Sequence, residues 1–330
     1  MSTTSAHPGE NHSSLAAFGK ALLTRYATVL LLVLLIIVFA SLSNQFVTAR
    51  NLQNILVVQT VVSCVAFGAL FPLIVGEFDL SLGYLIGFVV MLGAYLGGAC
   101  FDASVVIPAM IIAGTGVGFL SGLLTVTFKI SSFISTLGIG ILLSGLTLSL
   151  SGGQVLFNGI PPFVLAIGQT SFVGLAVSVW FTLLIAVVLF YLLEQMPMGR
   201  KFYAVGGSER VAFLAGIKTK RVKVLAFTLA GLIVSIGGVF ELGQSGAASA
   251  GFGPDLLLPG YAAAFLGVTT YKPGYFNVPG TLVAILLLAV GFNGLNLLGA
   301  PFWMQPIFNG LVLIIAVITA RSEARQLKRG

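Results

Sequence analysis

Three acidic residues stand in or beside long apolar segments, where an ionised side chain is costly. Glu77 and Asp79 follow one such segment, close to Pro72 and Gly76, and Glu241 lies within another. Such groups usually face an aqueous path or a protein partner. We therefore expect Glu77 and Asp79 to line a solute path or hold a gating turn, although Asp79 could equally cap the helix that follows it. For Glu241, structural pairing and solute contact are equally expected.

Neutral polar side chains also occur within the apolar segments, where they could contact an uncharged solute. Amides and hydroxyls form hydrogen bonds without adding net charge. The candidates for this role are Gln59, Ser63, Thr136, Asn293 and Asn296. Each of them has an alternative use in a hydrogen bond between two helices. The sequence does not choose between these uses.

The residue pattern argues against catalysis by this chain. Gly243-Gln-Ser245-Gly has the form of a membrane serine-protease motif, but such a serine needs a general base. The only histidines, His7 and His12, lie in the polar N-terminal stretch. The sequence has neither a His-Glu-x-x-His zinc motif nor a Gly-x-x-x-x-Gly-Lys-Ser/Thr phosphate loop. We predict a non-catalytic chain that binds no metal, nucleotide or other cofactor itself.

The composition indicates that most of the chain is surrounded by lipid. Apolar residues make up 58% of its 330 residues, and charged residues only 8%. A soluble domain carries about 25% charged residues. The isoelectric point of the chain, near 9.6, does not indicate nucleic-acid binding. The basic residues lie between apolar segments, where they act as topology signals. Cys64 and Cys100 both fall in apolar segments and predict no disulfide framework.

Ten apolar segments approach the length of about 20 helical residues that a bilayer requires. They predict an all-α, polytopic helical bundle over residues 25–320, with tails at 1–24 and 321–330. The eighth segment is short and weak, and the second and third together could form one broken segment. The ten segments are 26–43, 52–76, 80–100, 104–128, 133–151, 172–193, 224–245, 255–270, 279–298 and 302–320.

The basic residues give this arrangement an orientation. With the N-terminus inside, fifteen of the sixteen fall on the inner side, and Arg50 alone falls outside. We therefore expect a multi-pass protein of the bacterial plasma membrane with both termini in the cytoplasm. The inner basic residues are Lys20, Arg25, Lys129, Arg200, Lys201, Arg210, Lys218, Lys220, Arg221, Lys223, Lys272, Arg321, Arg325, Lys328 and Arg329.

Two loops suggest an inverted repeat. Asp79-Leu-Ser-Leu-Gly-Tyr and Asp255-Leu-Leu-Leu-Pro-Gly-Tyr each pair an acid with a run of leucines. The span count places these loops on opposite faces of the membrane. Inverted repeats of this kind are common in transporters.

The connection at 194–223 contains signals for a short helix. Ser208 is a good N-cap, Glu209 favours the first turn, and Gly216 suits the position after the last turn. These signals predict a helix at 209–215 with Val211, Leu214 and Ala215 on one apolar face. Such a face needs a partner, and we interpret it as a coupling helix that seats in a soluble ATPase. The alternative is a helix that lies on lipid headgroups.

The same connection resembles the signature of the ribose-type sugar permeases of bacterial ABC importers. The matching residues are Gly199, Arg200, Tyr203, Ala204, Gly206, Gly207, Ala212, Gly216 and Ile217. Phe78-Asp-Leu-Ser-Leu-Gly, the lead into the second span from Phe46 to Leu56, and Asn293-Gly-Leu-Asn-Leu-Leu-Gly also resemble family segments in order and spacing. The resemblance covers about residues 40–320.

This resemblance implies a fold of about ten helices and a set of partners. Two permease copies or homologues would pair, cytoplasmic ABC ATPase subunits would bind ATP and magnesium, and an extracytoplasmic binding protein would deliver a monosaccharide or small polyol. Residues 199–216 would then contact the ATPase, with Glu209, Val211 and Leu214 at the contact. The chain departs from the family at Gly267-Val-Thr-Thr-Tyr-Lys-Pro-Gly and at Gly253-Pro-Asp255. Ribose itself is therefore not implied.

A secondary transporter driven by protons or sodium is the rival interpretation. Its coupling acid would be Asp79 or Glu241. Proton relays commonly use several buried acids or histidines, and this chain has few. The apolar helix predicted at 209–215 has no role in such a transporter.

Overall fold

The computed structural model describes residues 27–301 and 303–327, which are almost entirely helical. The helices are α1 (Ala27–Leu42), α2 (Ala49–Ile74), α3 (Ser81–Gly98), α4 (Ala103–Phe128), α5 (Ser132–Ser151), α6 (Pro162–Gln169), α7 (Val177–Glu194), α8 (Pro197–Gly207), α9 (Glu209–Leu214), α10 (Thr219–Ser245), α11 (Pro254–Gly267), α12 (Val278–Leu297) and α13 (Met304–Leu327). A small antiparallel hairpin, β1 (Ser171–Phe172) and β2 (Leu175–Ala176), precedes α7.

The helix lengths confirm an all-α, polytopic membrane protein. Within the described residues, seven helices are long and apolar enough to cross a bilayer, namely α2, α3, α4, α5, α7, α10 and α12. Shorter apolar helices cover Thr28–Leu42 and Met304–Ala320. Each of the ten predicted segments contains a helix, but the helix in the sixth starts at Val177 because the hairpin occupies its beginning.

The predicted tails lie partly outside the described residues. Residues 1–24 and 328–330 belong to the undescribed parts of the chain. Helix α13 continues through residues 321–327, the first part of the predicted C-terminal tail.

Helices α2 and α10 form the centre of the bundle, and α10 packs along both α2 and α4. Glycines bring α4 and α10 into contact backbone to backbone. A Cβ on Gly118 would overlap the carbonyl oxygen of Phe227, and one on Gly231 would overlap that of Gly114. Small residues permit this approach between helices in lipid, where packing rather than the hydrophobic effect drives association.

The outer helices present apolar side chains to their surroundings. Ile112 on α4 and Leu142 on α5 are largely exposed, as are Leu184 and Val187 on α7. Exposed apolar patches of this extent do not occur on soluble monomers. Lipid therefore covers these faces.

Helix α11 is short and begins beside the first turns of α3. Its 14 residues extend about 21 Å, less than the apolar core of a bilayer. The preceding segment, 246–253, runs back into the bundle until Phe252 and Gly253 meet Gly87 of α3. Gly253 has a φ of 115°, a conformation that favours glycine. The chain thus contains a discontinuous helix here.

This packing corrects the placement of the two loops that suggested an inverted repeat. The expectation of opposite membrane faces is wrong, because the two segments contact each other. A Cβ on Gly83 would lie 3.1 Å from the Leu257 Cβ, and the Tyr261 hydroxyl bonds to the backbone of Asp79. The reason is that α11 starts beside the first turns of α3. The inverted repeat itself stays a prediction.

Candidate functional site

Helices α8 and α9 together form the connection between α7 and α10. The sequence predicted only the second of them, and that prediction is confirmed within one residue. The Ser208 hydroxyl accepts a hydrogen bond from the Val211 N–H, which caps α9, and Gly216 follows the helix with a φ of 83°. Helix α8 begins with Pro197, a residue that suits a first helical turn.

Helix α9 exposes the apolar face that the sequence predicted. Val211 and Leu214 are 64% and 78% exposed, and Ala215 is also exposed. The structure adds Phe213, 66% exposed, while Ala212 turns inward and is buried. A six-residue helix with three large exposed apolar side chains lacks a core of its own to cover them. Another surface must do so.

Glycines hold α8 against the ends of two membrane helices. A Cβ on Gly199 would overlap the carbonyl oxygen of Leu193, and one on Gly206 would overlap that of Ile74 at the end of α2. By contrast, Gly207 has no neighbour within 4 Å of its missing Cβ. The first two glycines of the signature are thus required by packing, and the third is not.

Aromatic side chains fasten α8 further. Phe202 is fully buried and meets the edge of Phe71 at 5.6 Å between ring centroids. The Tyr203 hydroxyl donates a 2.6 Å hydrogen bond to the Phe276 carbonyl oxygen. Burial, and secondarily the Glu194 carboxylate, raises the pKa of Tyr203 above its usual range, so this donor stays protonated. Arg200, on the same helix, is exposed and touches no acid among the described residues.

A lysine joins α9 to the membrane helices. Lys223, in the first turns of α10, places its Nζ 2.8 Å from Glu77 Oε1 and 2.7 Å from Glu209 Oε2. The Lys223 and Glu77 side chains are only 14% and 19% exposed, whereas Glu209 is 50% exposed. We call these three residues the Lys223 bridge. It ties the first residue of α9 to the connection between α2 and α3.

That connection, residues 75–80, is fixed by three successive backbone amides. The N–H groups of Phe78, Asp79 and Leu80 donate to side-chain oxygens of α5 and α11, over distances of 3.1, 2.9 and 2.9 Å. The acceptors are the hydroxyls of Ser132, Tyr261 and Thr136, respectively. Because these three amides bond to α5 and α11, a shift of either helix would move this connection.

Asp79 lies fully buried at the end of this connection. Its Oδ1 accepts hydrogen bonds from the Ser81 N–H and hydroxyl, so Asp79 holds the start of α3. Its Oδ2 has no hydrogen-bond partner. Burial raises the pKa of this carboxyl to about 6, although both Ser81 bonds act in the opposite direction. A group so placed changes protonation near neutral pH more readily than an exposed aspartate.

The remaining sequence-predicted path residues do not form one cluster. Asn293 and Asn51 exchange two 2.9 Å hydrogen bonds near the start of α2, and Asn296 is exposed one turn further on. Gln59 lines a groove of about 180 Å³ with Ser63 and Thr182. Glu241 is half-buried in α10, where its carbonyl oxygen accepts from the Ser245 hydroxyl.

Sequence reasoning missed two polar side chains that the fold uses. Lys223 was counted only as a topology signal, and Gln244, on α10, donates to the hydroxyls of Thr60 and Ser178 over 2.7 and 3.2 Å. The pairing of Lys223 with Glu77 and both pairings of Gln244 have no local signal, since these partners lie between 66 and 184 residues away in sequence. No group of three metal-ligating side chains occurs within the described residues.

Comparison with known proteins decides the family. The family described as the permease component of branched-chain amino acid transport systems matches residues 51–317. The chain belongs to this family of permeases. The matched range runs from the start of α2 into α13 and includes the whole of α8 and α9.

Curated relatives of this permease span nearly its whole length. It is 30% identical over 304 residues to the ribose import permease of Escherichia coli K12, covering 91% of this chain and 95% of the relative. It is 32% identical over 294 residues to the ribose import permease of Bacillus subtilis 168, covering 89% and 91%. The D-allose transport permease of Escherichia coli K12 is 30% identical over 301 residues, covering 90% and 91%. No solved structure matches the chain.

Proposed function

We propose that this permease is the membrane-spanning, non-catalytic subunit of an ATP-driven importer for a monosaccharide or related small polyol. The exposed apolar face of α9, joined to the membrane helices by the Lys223 bridge, is the observation that carries this proposal. Sugar is favoured over an amino acid as the solute because the relatives described above are named for ribose and allose. The departures near Gly253 and Gly267 leave the particular sugar open.

The partner at α9 would be a cytoplasmic ABC ATPase subunit. The permease sequence has no phosphate loop, so ATP and magnesium belong on that partner. Val211, Phe213 and Leu214 supply the apolar contact, while Gly199, Gly206 and Tyr203 keep α8 and α9 in place. Arg200 and Gly207 are exposed and available to the same partner.

Movement of the ATPase would reach the membrane helices through the Lys223 bridge. A displacement of α9 moves Glu209. Because Lys223 pairs with both Glu209 and Glu77, it would then pull on Glu77 as well. Glu77 lies in this connection, directly before the three amides that bond to α5 and α11. Alternating access needs such an element with two arrangements whose balance a partner can shift. We assign that role to residues 75–80.

The solute path is best supported near the two helix breaks. Transporters commonly bind their solutes where helices are discontinuous near the middle of the membrane. Here Phe252 and Gly253 meet Gly83 and Gly87 in the first turns of α3, the helix that residues 75–80 lead into. Asp79 and Thr136 lie beside the first break and Glu241 precedes the second. Gln59, Asn293 and Asn296 stand further along the helices and serve the path as polar groups at its outer part.

For the topology, we propose ten crossings with both termini in the cytoplasm of a bacterium. The α8–α9 connection then lies inside, where an ATPase is found. An extracytoplasmic sugar-binding protein would dock at the opposite end, beside the β1–β2 hairpin, and a second permease copy or homologue would complete the pore. The inside location of fifteen basic residues supports this orientation.

The decisive experiment introduces negative charges into the exposed apolar face of α9. Val211→Glu with Leu214→Glu should reduce the ATPase retained by the purified permease at least tenfold, because two ionised groups cannot be buried in an apolar contact. Val173→Glu, at an exposed apolar residue of the β1–β2 turn, should retain it fully. Full ATPase retention by the α9 variant would refute the proposal. So would accumulation of sugar on an ion gradient by vesicles that contain the permease alone.

A further inference from the structure

A groove of about 770 Å³ opens beside α8, on the side away from the Lys223 bridge. It is formed by the first turns of α8, the connection from α9 to α10, and the first turns of α10. Its volume is within the range of small-molecule sites. The apolar part of the lining comprises Met196, Met198, Phe202, Ile217, Val222 and Leu225.

Three basic side chains surround this apolar floor. Lys201, Lys218 and Arg221 all line the groove and all are exposed. None of them forms an ion pair with an acid in the described part of the chain, whereas Lys223 and Lys272 do. The groove therefore combines an apolar interior with three uncompensated positive charges. Its ligand must carry an anionic group next to an apolar body.

The position of the groove identifies the source of such a ligand. Helix α7 ends at Glu194 and α10 begins at Thr219, and both helices are apolar enough to span the membrane. The groove is lined by the first turns of α10 and by Met196, two residues after the end of α7, so it lies where apolar helix gives way to polar connection. Lipid headgroups occupy that level, and clusters of basic residues beside a membrane helix attract anionic ones.

We propose that this groove binds an anionic phospholipid. The phosphate lies among Lys201, Lys218 and Arg221, and the upper part of an acyl chain lies against Met198 and Leu225. Val211, Phe213 and Leu214 of α9 do not line the groove, whereas Ala215, which follows α9, does, so the groove adjoins the exposed face of α9 without including its large side chains. A neutral sugar has no use for three cations. This site neither follows from the proposed import function nor depends on it.

A tryptophan placed in the groove reports on its occupant. The variant Met198→Trp is made in a permease in which Trp180 and Trp303, the two native tryptophans, are replaced by phenylalanine. It is reconstituted in vesicles that contain phosphatidylglycerol or phosphatidylcholine with brominated acyl chains, which quench tryptophan fluorescence on contact. Each basic residue near a membrane surface adds about fivefold to the affinity for anionic lipid. Three should favour phosphatidylglycerol on the order of one hundredfold.

Matched variants separate this site from ordinary lipid contact. Leu142→Trp, on the lipid-facing side of α5, should be quenched equally by both lipids. Neutralising the groove with Lys201→Gln, Lys218→Gln and Arg221→Gln should abolish the preference at residue 198. Exchanging the same residues for Arg, Arg and Lys should keep it. The double variant Lys129→Gln, Lys220→Gln, around a separate cavity, should also keep it.

Four results would overturn the proposal. Equal quenching by both lipids at residue 198 would show that the groove does not recognise lipid charge. A preference for phosphatidylglycerol that survives neutralisation of the groove would show that the three basic residues do not cause it. Displacement of the brominated lipid by free glycerol phosphate would show a site for soluble phosphate instead. Loss of a bound ATPase from the neutralised variant, with its lipid preference intact, would assign the groove to the ATPase contact.

Discussion

The two ends of this permease are held together by different chemistry. At the α8–α9 end, the Lys223 bridge joins α9 and α10 to the connection at 75–80, and Lys272, between α11 and α12, pairs with Glu194 at the end of α7. At the opposite end, separate segments are joined by hydrogen bonds of neutral amides. Asn51 bonds to Asn293, and Gln53 donates to the Gly174 carbonyl oxygen. Ion pairs respond to charge and displacement, whereas amide pairs hold one geometry. The difference fits an end that is driven by a partner and an end that admits a neutral solute.

The largest expected effect comes from the packing of α8. Gly206→Val should destabilise the permease by about 3 kcal/mol, since its new side chain overlaps the Ile74 carbonyl oxygen and must push α8 from α2. Gly207→Ala is the matched control, because its Cβ meets nothing within 4 Å. Thermal unfolding in detergent measures both. Equal melting temperatures for the two variants would show that α8 does not pack tightly against the end of α2 at Gly206.

The charge sensitivity of the α8–α9 end should appear as a pH dependence. The folded pKa of Asp79, about 6, lies above the unfolded value of about 3.9. Folding therefore favours the protonated carboxyl. Its stabilising effect is complete below about pH 4 and is lost as the pH rises through 6, a change of about 3 kcal/mol.

Asp79→Asn removes the titrating group and keeps an oxygen for the Ser81 donors. Between pH 4 and pH 7, the melting temperature of the parent should fall relative to that of this variant. Asp102→Asn, at an exposed residue of the opposite end, should follow the parent. A parallel course for all three proteins would mean that burial does not shift the Asp79 carboxyl.

Two variants of the Lys223 bridge should differ in their cost to stability, while both weaken the coupling between the ATPase and the permease. Lys223→Met leaves the mostly buried Glu77 carboxylate without its partner and should cost about 2 kcal/mol in the free energy of unfolding. Glu209→Gln breaks only the half-exposed arm and should cost less than about 1 kcal/mol. Both variants should nevertheless lower sugar-stimulated ATPase activity of the assembled importer. Normal activity in Glu209→Gln would remove α9 from the coupling route.

The smallest effect is expected at the amide end. Asn51→Ala leaves Asn293 without its reciprocal hydrogen bonds and should cost about 1 kcal/mol. Because this pair lies far from α9, the ATPase retained by the purified variant should equal that of the parent. A loss of ATPase binding here would erase the distinction between the two ends.

Local signals explain what the sequence could predict. Hydropathy located the long helices, and Ser208 with Gly216 bounded α9, because caps act within a few residues. Helices α6 and α8 and the β1–β2 hairpin were missed, since they are short and lack such strong boundaries. The placement of α11 beside α3 was missed because a span count assumes that each segment crosses completely.

The candidate site likewise has features that local sequence predicts and features that only the packed bundle determines. The exposed face of α9 follows from residue spacing alone and was predicted. The Lys223 bridge was not, because Glu77 and Lys223 are 146 residues apart and only the packed bundle brings them together. Asp79 bonds to Ser81 at the start of α3, although Leu80 is the N-cap of that helix, so both interpretations of Asp79 stay predictions. Burial, which sets its pKa, is also a property of the whole bundle.

The glycine contacts between α4 and α10 limit how the transporter can move. Where the backbones of Gly118 and Gly231 touch directly, no side chain remains that could change its rotamer and let one helix slide past the other. We expect these closely packed helices to move together, with Lys223 at one end of the pair. Hinges are then confined to the connections, and the turn at Gly246 and the stretch through Gly253, both with positive φ, are where α10 can swing relative to α11.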